Sequence, residues 1–193
     1  TQAVLPLRGK ILNVASATVD KLLANQEVSD LGLALGCGLG KNFDINKLRY
    51  ERIIIMTDAD IDGAHIASLL MTFFYKEMRP IVEAGRLYLS QPPLYRITDG
   101  KNVTYALNDD QKEVVLKKLG GKKVEISRFK GLGEMPARAL KETTMDKSRR
   151  SLLRVVIRPE DDTQIVDRLM GKKAEERFIF IQENAKFATN LDI

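Results

Sequence analysis

A short, strongly apolar run is the feature that most constrains the fold of this chain. Residues 52–57 contain three consecutive isoleucines. A continuous β-branched run of this length is typical of a strand that is buried on both faces of a parallel sheet. The apolar spacing over residues 64–78 then predicts a helix, and residues 86–90 predict another strand. A strand, a helix and a strand in this order predict a βαβ unit with two parallel strands.

The remaining patterns predict further helices and strands, so that the whole chain has an α/β composition. Asn108 or Asp109 is placed to cap a helix that ends near Gly120, and Ser29 and Asp30 are placed to interrupt the helical stretch 19–35. The other predicted elements are a hairpin from 94–98 and 103–107, strands at 124–128 and 152–157, and helices at 136–142, 161–170 and 174–186.

Three acids follow the isoleucine run directly, at Asp58, Asp60 and Asp62. In open α/β sheets, ligands bind beyond the carboxyl ends of the strands. Three carboxylates so close together repel one another unless a cation neutralises them, and an oxygen-only ligand set suits Mg²⁺ or Mn²⁺. We therefore expect a metal site here. One aspartate alone is more simply explained as the N-cap of the following helix.

Other ligand motifs fail on spacing. A calcium loop that starts at Asp58 requires Glu at its twelfth position, where the chain has Leu69. A phosphatase of the Asp-x-Asp type requires Thr or Val at the position of Asp62. The glycine-rich stretch 36–40 lacks the first glycine and the Ser or Thr of a phosphate-binding P-loop. ATP binding is not predicted anywhere in this chain.

Charge and composition exclude several classes of protein. The chain has 193 residues and a net charge of +5, and its single Cys and single His make a zinc site improbable. Eleven bases and four acids give residues 122–158 a net charge of +7, which favours a polyanionic partner, although a solvated surface is the alternative. Neither a membrane-spanning run nor a signal peptide is present, so we expect a cytoplasmic protein. The missing initiator Met suggests a fragment or a processed chain.

Four stretches together resemble the B subunit of the bacterial type IIA DNA topoisomerases, the family of gyrase and topoisomerase IV. They are residues 5–14 (LPLRGKILNV), 53–66 (IIIMTDADIDGAHI), 91–95 (QPPLY) and 128–135 (RFKGLGEM). The resemblance implies a Rossmann-like TOPRIM domain with a mostly parallel sheet at residues 1–115, truncated at its N-terminus, and a mixed α/β C-terminal tail at residues 116–193. The short connection between Tyr95 and Val124 is more similar to topoisomerase IV than to gyrase.

The resemblance also implies the chemistry. The carboxylates at Asp58 and Asp60 are expected to bind Mg²⁺, for which Mn²⁺ or Ca²⁺ can substitute, with Asp62 assisting. A further family ligand, the Glu of a Glu-Gly-Asp-Ser-Ala motif, would precede Thr1. The family's partners are double-stranded DNA and an A subunit, which supplies the nucleophilic tyrosine in an A2B2 heterotetramer. ATP would bind only in an N-terminal region, and the protein would be associated with the chromosome.

Four further residues match family positions near DNA. The resemblance predicts that Arg8 and Lys10 contact phosphate; the position of Arg8 is commonly Lys in the family, so the charge is kept while the hydrogen-bond geometry differs. His65, near the start of the helix after the acids, and Lys130, in a glycine loop with Glu134, are also predicted to face DNA. A solvated N-terminal face, a local His–carboxylate pair and an exposed tight turn are the respective structural alternatives.

Three kinds of function are compatible with these observations. The first is the cleavage and religation part of a type II topoisomerase, which relaxes or decatenates duplex DNA together with the A subunit, driven by ATP in the full enzyme. In that case the present chain alone is expected to be inactive. The second is a stand-alone Mg²⁺-dependent TOPRIM nuclease or primase-like enzyme. A scaffold that only binds DNA or the A subunit is a third, simpler possibility.

Overall fold

The isoleucine run forms a strand, and helices and strands alternate around it much as the sequence predicts. The structure is a computed structural model, and it describes residues 2–158 and 162–187. Within these residues lie six strands: β1 (Ile53–Ile55), β2 (Leu87–Ser90), β3 (Tyr95–Asp99), β4 (Asn102–Ala106), β5 (Glu125–Arg128) and β6 (Leu152–Arg154). The same residues form eight α-helices: α1 (Val19–Ala24), α2 (Gln26–Leu35), α3 (Ile61–Glu77), α4 (Arg79–Glu83), α5 (Asp109–Lys118), α6 (Ala137–Leu140), α7 (Asp162–Met170) and α8 (Ala174–Asn184).

The first sheet confirms the predicted parallel pair and shows that the sheet is mixed. β1 and β2 run parallel, with Ile54 opposite Tyr88, and α3 and α4 connect them. β6 joins the other edge of β2 in the antiparallel direction. Among the described strands β1 pairs only with β2, and only Ile55 of its three residues is buried. The prediction that this strand is buried on both faces is therefore wrong, because Ile53 and Ile54 are only half-buried.

The second sheet is antiparallel and confirms the predicted hairpin. β3 is the central strand, with β4 on one side and β5 on the other. Its inward-facing residues Tyr95 and Ile97 form a buried cluster with Ala106, against which Val115 and Leu116 of α5 pack. Alternate residues of a strand point to the same face, so Tyr95 and Ile97 lie on one face of the sheet and form the apolar surface against which α5 packs.

The helical stretch near the N-terminus breaks at a different residue from the one predicted. α1 and α2 are separated at Asn25, whose side-chain oxygen accepts a hydrogen bond from the Val28 amide at 3.0 Å. Asp30 lies inside α2 instead, where its carboxylate accepts a hydrogen bond from the Gln26 side chain at 2.7 Å. Asn is as good an N-cap as Asp, so the choice depends on which residue adopts an extended backbone.

The described residues divide into two units. The first unit comprises residues 2–51 and 69–86 and the described part of 156–187, whereas the second unit comprises residues 52–68 and 87–155. The buried interior of the first unit includes Phe73 and Phe74, whose rings meet edge to face at 5.3 Å. The second unit contains both sheets. The boundary near residue 115 that the resemblance implies stays a prediction.

The last two predicted helices are present as α7 and α8, and both belong to the first unit. The predicted first residue of α7, at position 161, lies outside the described residues, as do residues 188–193. Among the helices that the structure describes, none combines the length and the hydropathy that a membrane crossing requires.

Candidate metal centre

Asp58 lies just beyond the carboxyl end of β1, and its carboxylate is held by a distant loop. Its Oδ1 accepts a hydrogen bond from the backbone amide of Leu132 at 2.7 Å, although 74 residues separate the two positions. The side chain is otherwise exposed. An exposed carboxylate with one oxygen fixed by a backbone amide has a defined orientation, and its second oxygen remains available for a ligand.

Asp60 caps the helix that follows. Its Oδ1 accepts a hydrogen bond from the Gly63 amide at 2.7 Å, and its carbonyl oxygen accepts one from the Ala64 amide at 3.0 Å. α3 therefore begins at Ile61, three residues earlier than the apolar spacing predicts, because this cap satisfies amides of the first turn. Asp62 lies in that first turn. The N-cap explanation is thus correct for Asp60, and it leaves the second oxygen of Asp60 uncommitted.

Gly63 allows α3 to start directly against the backbone of Asp58. It is buried, and a Cβ built on it would lie 2.0 Å from the Asp58 carbonyl oxygen, 2.8 Å from the carbonyl carbon and 2.9 Å from the amide nitrogen. Real Cβ atoms essentially never come within 3.0 Å of a heavy atom outside their own and the neighbouring residues. No larger residue fits at this position unless the backbone moves.

The carboxylates of Asp58 and Asp60, each with one oxygen bonded to a backbone amide, have the oxygen ligands that a hard divalent ion prefers. Within the described residues, the second oxygens of Asp58 and Asp60 accept no hydrogen bond and form no ion pair. Mg²⁺ commonly binds one or two carboxylates together with substrate phosphates and water. No three His, Cys, Asp or Glu side chains of the described residues are arranged to hold a metal ion by themselves. The metal roles of Asp58, Asp60 and Asp62 stay predictions.

The glycine loop that carries Lys130 belongs to the second unit, as Asp58 does, and it contacts that aspartate. Lys130 is exposed, and its backbone amide donates to Glu134 Oε2 at 2.8 Å. The loop ends are buried: Phe129 and Met135 are each 7% exposed and form a cluster with Ala139. The loop is therefore anchored at both ends. A role for the Lys130 ammonium in binding DNA stays a prediction.

The other three predicted DNA-binding residues are all exposed. His65 lies on the first part of α3 in the second unit. Arg8 and Lys10 belong to the first unit, in an N-terminal segment with neither helix nor strand. A side chain must be exposed to contact a DNA phosphate, and all three are. Exposure alone does not test whether they bind DNA, so the DNA-binding roles of Arg8, Lys10 and His65 stay predictions.

Some bases of the segment 122–158 are already paired within the second unit. Arg138 Nε lies 2.9 Å from Glu142 Oε1, and Arg149 lies 3.9 Å from Oε2 of the same carboxylate. The hydrogen bond from Arg138, followed by the charges of Arg138 and Arg149, lowers the pKa of Glu142. Burial, followed by the charge of Glu142, raises the pKa of Tyr105. The side chains of Arg138 and Arg149 are nevertheless 89% and 62% exposed, so these pairs leave both arginines at the surface.

Three of the five tyrosines use their hydroxyl groups in contacts within the chain. The Tyr75 and Thr163 hydroxyls lie 2.6 Å apart. Tyr95 donates to Asp109 at 2.9 Å, and Tyr105 donates to Glu142 at 3.4 Å. Tyr75 and Tyr95 are also buried. These contacts agree with the interpretation of the tyrosines as packing residues.

Sequence reasoning missed the roles of Gly63, Gly131 and the Leu132 amide. The signal was present in part, because glycines within a motif indicate close backbone approach. The partner of that approach could not be read from the sequence, since Asp58 is distant along the chain and Leu132 acts through its backbone.

Two family models match the chain. The model described as "Toprim domain" matches residues 1–92, and the one described as "DNA gyrase B subunit, carboxyl terminus" matches residues 121–182. Toprim domains bind divalent metal ions. The two matches are separated by residues 93–120, and together they cover the acids, the glycine loop, α7 and most of α8.

Similar proteins are B subunits of topoisomerases. The chain is 58% identical to the B subunit of DNA topoisomerase 4 from Bartonella bacilliformis over 197 residues, which is 100% of this chain and 28% of that protein. It is 55% identical to the B subunit of DNA gyrase from Metamycoplasma hominis over 197 residues, 100% of this chain and 30% of that protein. It is also 58% identical to the B subunit of DNA topoisomerase 4 from Caulobacter vibrioides over 196 residues, which is 100% of this chain and 28% of that protein. The chain spans less than a third of each of these relatives. It belongs to the family of bacterial type IIA topoisomerase B subunits, in the region of the Toprim domain and the gyrase B carboxyl terminus.

Proposed function

We propose that this chain is the metal-binding part of a type II DNA topoisomerase that cleaves and religates duplex DNA. One observation supports the proposal most: Asp58 and Asp60 follow β1 with exposed carboxylates, each fixed by one backbone amide and each with a second oxygen uncommitted. The relatives carry the names of topoisomerase B subunits, which supports this function rather than that of a stand-alone nuclease or primase.

Each residue of the site has its own part in the proposed reaction. Asp58 and Asp60 hold the ion, expected to be Mg²⁺, and Asp62 assists from the first turn of α3. When bound, the divalent ion supplies Lewis-acid stabilisation of the charge that develops on phosphate oxygens. The backbone amides that fix Asp58 and Asp60 keep both carboxylates oriented before DNA arrives. The DNA backbone is bound by exposed residues, namely Arg8, Lys10, His65 and Lys130.

The remaining parts of the reaction belong to other polypeptide segments. The nucleophilic tyrosine comes from the A subunit in an A2B2 assembly, as the resemblance to the family implies. The engagement of the Tyr75, Tyr95 and Tyr105 hydroxyls within this chain agrees with that division. ATP binds outside this region in the full-length protein. The division into a Toprim part and a C-terminal part near residue 115 accommodates both family matches. A DNA substrate implies a cytoplasmic protein associated with the chromosome.

The proposal is tested with supercoiled plasmid and the two full-length proteins, the B subunit that contains this chain and its A partner. We expect Mg²⁺-dependent cleavage that leaves a DNA end covalently attached to the A subunit. Asp58→Ala and Asp60→Ala should each abolish cleavage, whereas Asp110→Ala, which removes an exposed acid of α5, should not. Cleavage by the B subunit in isolation, or undiminished cleavage by Asp58→Ala, would contradict the proposal.

A further inference from the structure

We propose that Gly131 is a positioning residue for the metal centre, because it lets the loop 130–134 approach closely enough to orient the Asp58 carboxylate. This inference rests on the proposed function, since it assigns the role through the metal-binding aspartate. Both residues belong to the second unit.

The contact involves the whole carboxylate group. A Cβ built on Gly131 would lie 2.9 Å from Cγ, 3.0 Å from Oδ1 and 3.1 Å from Oδ2 of Asp58. The next residue, Leu132, donates its amide to Asp58 Oδ1 at 2.7 Å. A methyl group at position 131 would therefore push the carboxylate away from the amide that holds it.

The requirement for glycine comes from space and not from the backbone conformation. Gly131 has φ −155° and ψ 171°, an extended conformation that any residue adopts. Gly133 offers an internal comparison, because it lies in the same loop and also lacks a positive φ, yet a Cβ built on it would have no heavy atom within 4 Å. The two glycines differ in their distance from Asp58.

The loop is built to hold the Leu132 amide in place. The Glu134 carboxylate accepts from the Lys130 amide at 2.8 Å, and the Glu134 amide donates to the Gly131 carbonyl at 3.2 Å. The buried side chains of Phe129 and Met135 fix both ends. A donor that is fixed in advance orients the carboxylate without reorganisation when the ion binds.

The consequence is a defined contribution to metal affinity. Hydrogen bonds from outside the ligand shell orient the ligands, and their loss typically weakens metal binding or activity by about 10- to 100-fold. Loss of the Leu132 contact should therefore appear as weaker metal binding, with little change in overall folding.

The test is a Mn²⁺ titration, followed by electron paramagnetic resonance, of the full-length B subunit without DNA or nucleotide. Gly131→Ala is expected to raise the dissociation constant for Mn²⁺ at the Asp58-dependent site about tenfold or more. Gly133→Ala should bind like the wild type. Melting midpoints in chelator should agree for all three proteins, and high Mg²⁺ should restore cleavage by Gly131→Ala. Equal Mn²⁺ affinity for Gly131→Ala and Gly133→Ala would overturn the inference.

Two further comparisons separate the possible failures. If Asp58→Asn binds Mn²⁺ as tightly as the wild type, the proposed metal role of Asp58 is wrong. If Asp58→Asn loses binding and Gly131→Ala does not, only the role of Gly131 is wrong. If Gly131→Ala fails to fold, a second pair of variants tests whether the loop orients Asp58. Glu134→Ala removes the acceptor of the Lys130 amide, whereas Glu134→Gln keeps an acceptor oxygen. Glu134→Ala should therefore bind Mn²⁺ more weakly than Glu134→Gln. Equal affinities for that pair would overturn the inference.

Discussion

Replacing Gly63 with alanine tests how closely α3 must start against Asp58. The substitution keeps the amide that donates to Asp60, so it adds only a methyl group. That methyl would lie 2.0 Å from the Asp58 carbonyl oxygen. The first turn of α3 and the backbone of Asp58 must therefore separate by about 1 Å, which is the kind of backbone shift that overpacking causes.

Two effects of opposite sign determine how much Gly63→Ala changes the stability of α3. Alanine is more favourable than glycine inside a helix by about 1 kcal/mol. Overpacking costs about 1–3 kcal/mol and occasionally more. The atoms in the way are backbone atoms of Asp58, which no side-chain rotation can move, so the cost should lie at the upper end. We expect a net loss of about 1–2 kcal/mol in the local stability of α3. We also expect a fall of about 100-fold in cleavage rate, because a displacement of about 1 Å at a catalytic group has that effect.

The assay combines hydrogen–deuterium exchange of the α3 amides with plasmid cleavage, both on the full-length protein. Ala64→Gly is the matched control, since it changes an exposed neighbour on the same helix. This control should lose about 1 kcal/mol of helix stability through propensity alone and keep its activity. If Gly63→Ala exchanges as slowly as the wild type and cleaves at the same rate, the close-approach reasoning is refuted.

Three other predictions follow from the described contacts. Asp60→Asn should preserve the cap on Gly63 and lose metal-dependent cleavage, whereas Asp60→Ala should lose both, with about 1 kcal/mol less helix stability by hydrogen exchange. Cys37 is 1% exposed, and burial raises the pKa of its thiol, so a thiol reagent should modify it rapidly only after urea unfolding. The pKa of Glu142 is lowered in the folded chain, so its contribution to stability is present above its ordinary value near 4.5 and is lost as the pH falls through the lowered value. Wild type and Glu142→Gln should therefore differ in urea unfolding at neutral pH and converge in acid.

Local patterns predicted the elements that place the acids. The isoleucines gave β1, the apolar spacing gave most of α3, and the order of elements gave the parallel pairing of β1 with β2. The start of α3 was misplaced because apolar spacing marks the buried face of a helix and does not mark its first turn. The sequence pattern predicts a metal ligand at Asp60, and the structure adds a helix cap there, which places the start of α3 at Ile61.

The contacts between segments distant along the chain could not be predicted from such patterns. The loop after β5 reaches Asp58 through the Leu132 amide, and a backbone donor has no sequence signature. Gly131 and Gly63 were visible as glycines, but their neighbours depend on how separate segments pack. The antiparallel pairing of β6 with β2 also could not be predicted, because the residue pattern of a strand does not indicate which strand it pairs with.

Asp58 and Asp60 together are proposed to hold the divalent ion. Anomalous diffraction from crystals of the full-length B subunit grown with Mn²⁺ tests this proposal most directly. We predict a manganese peak within about 2–2.4 Å of one carboxylate oxygen of each residue. The Leu132 and Gly63 amides should still be bonded to the other oxygens. A manganese peak bound by other residues, with both aspartates outside ligand distance, would show that Asp58 and Asp60 are not the metal ligands.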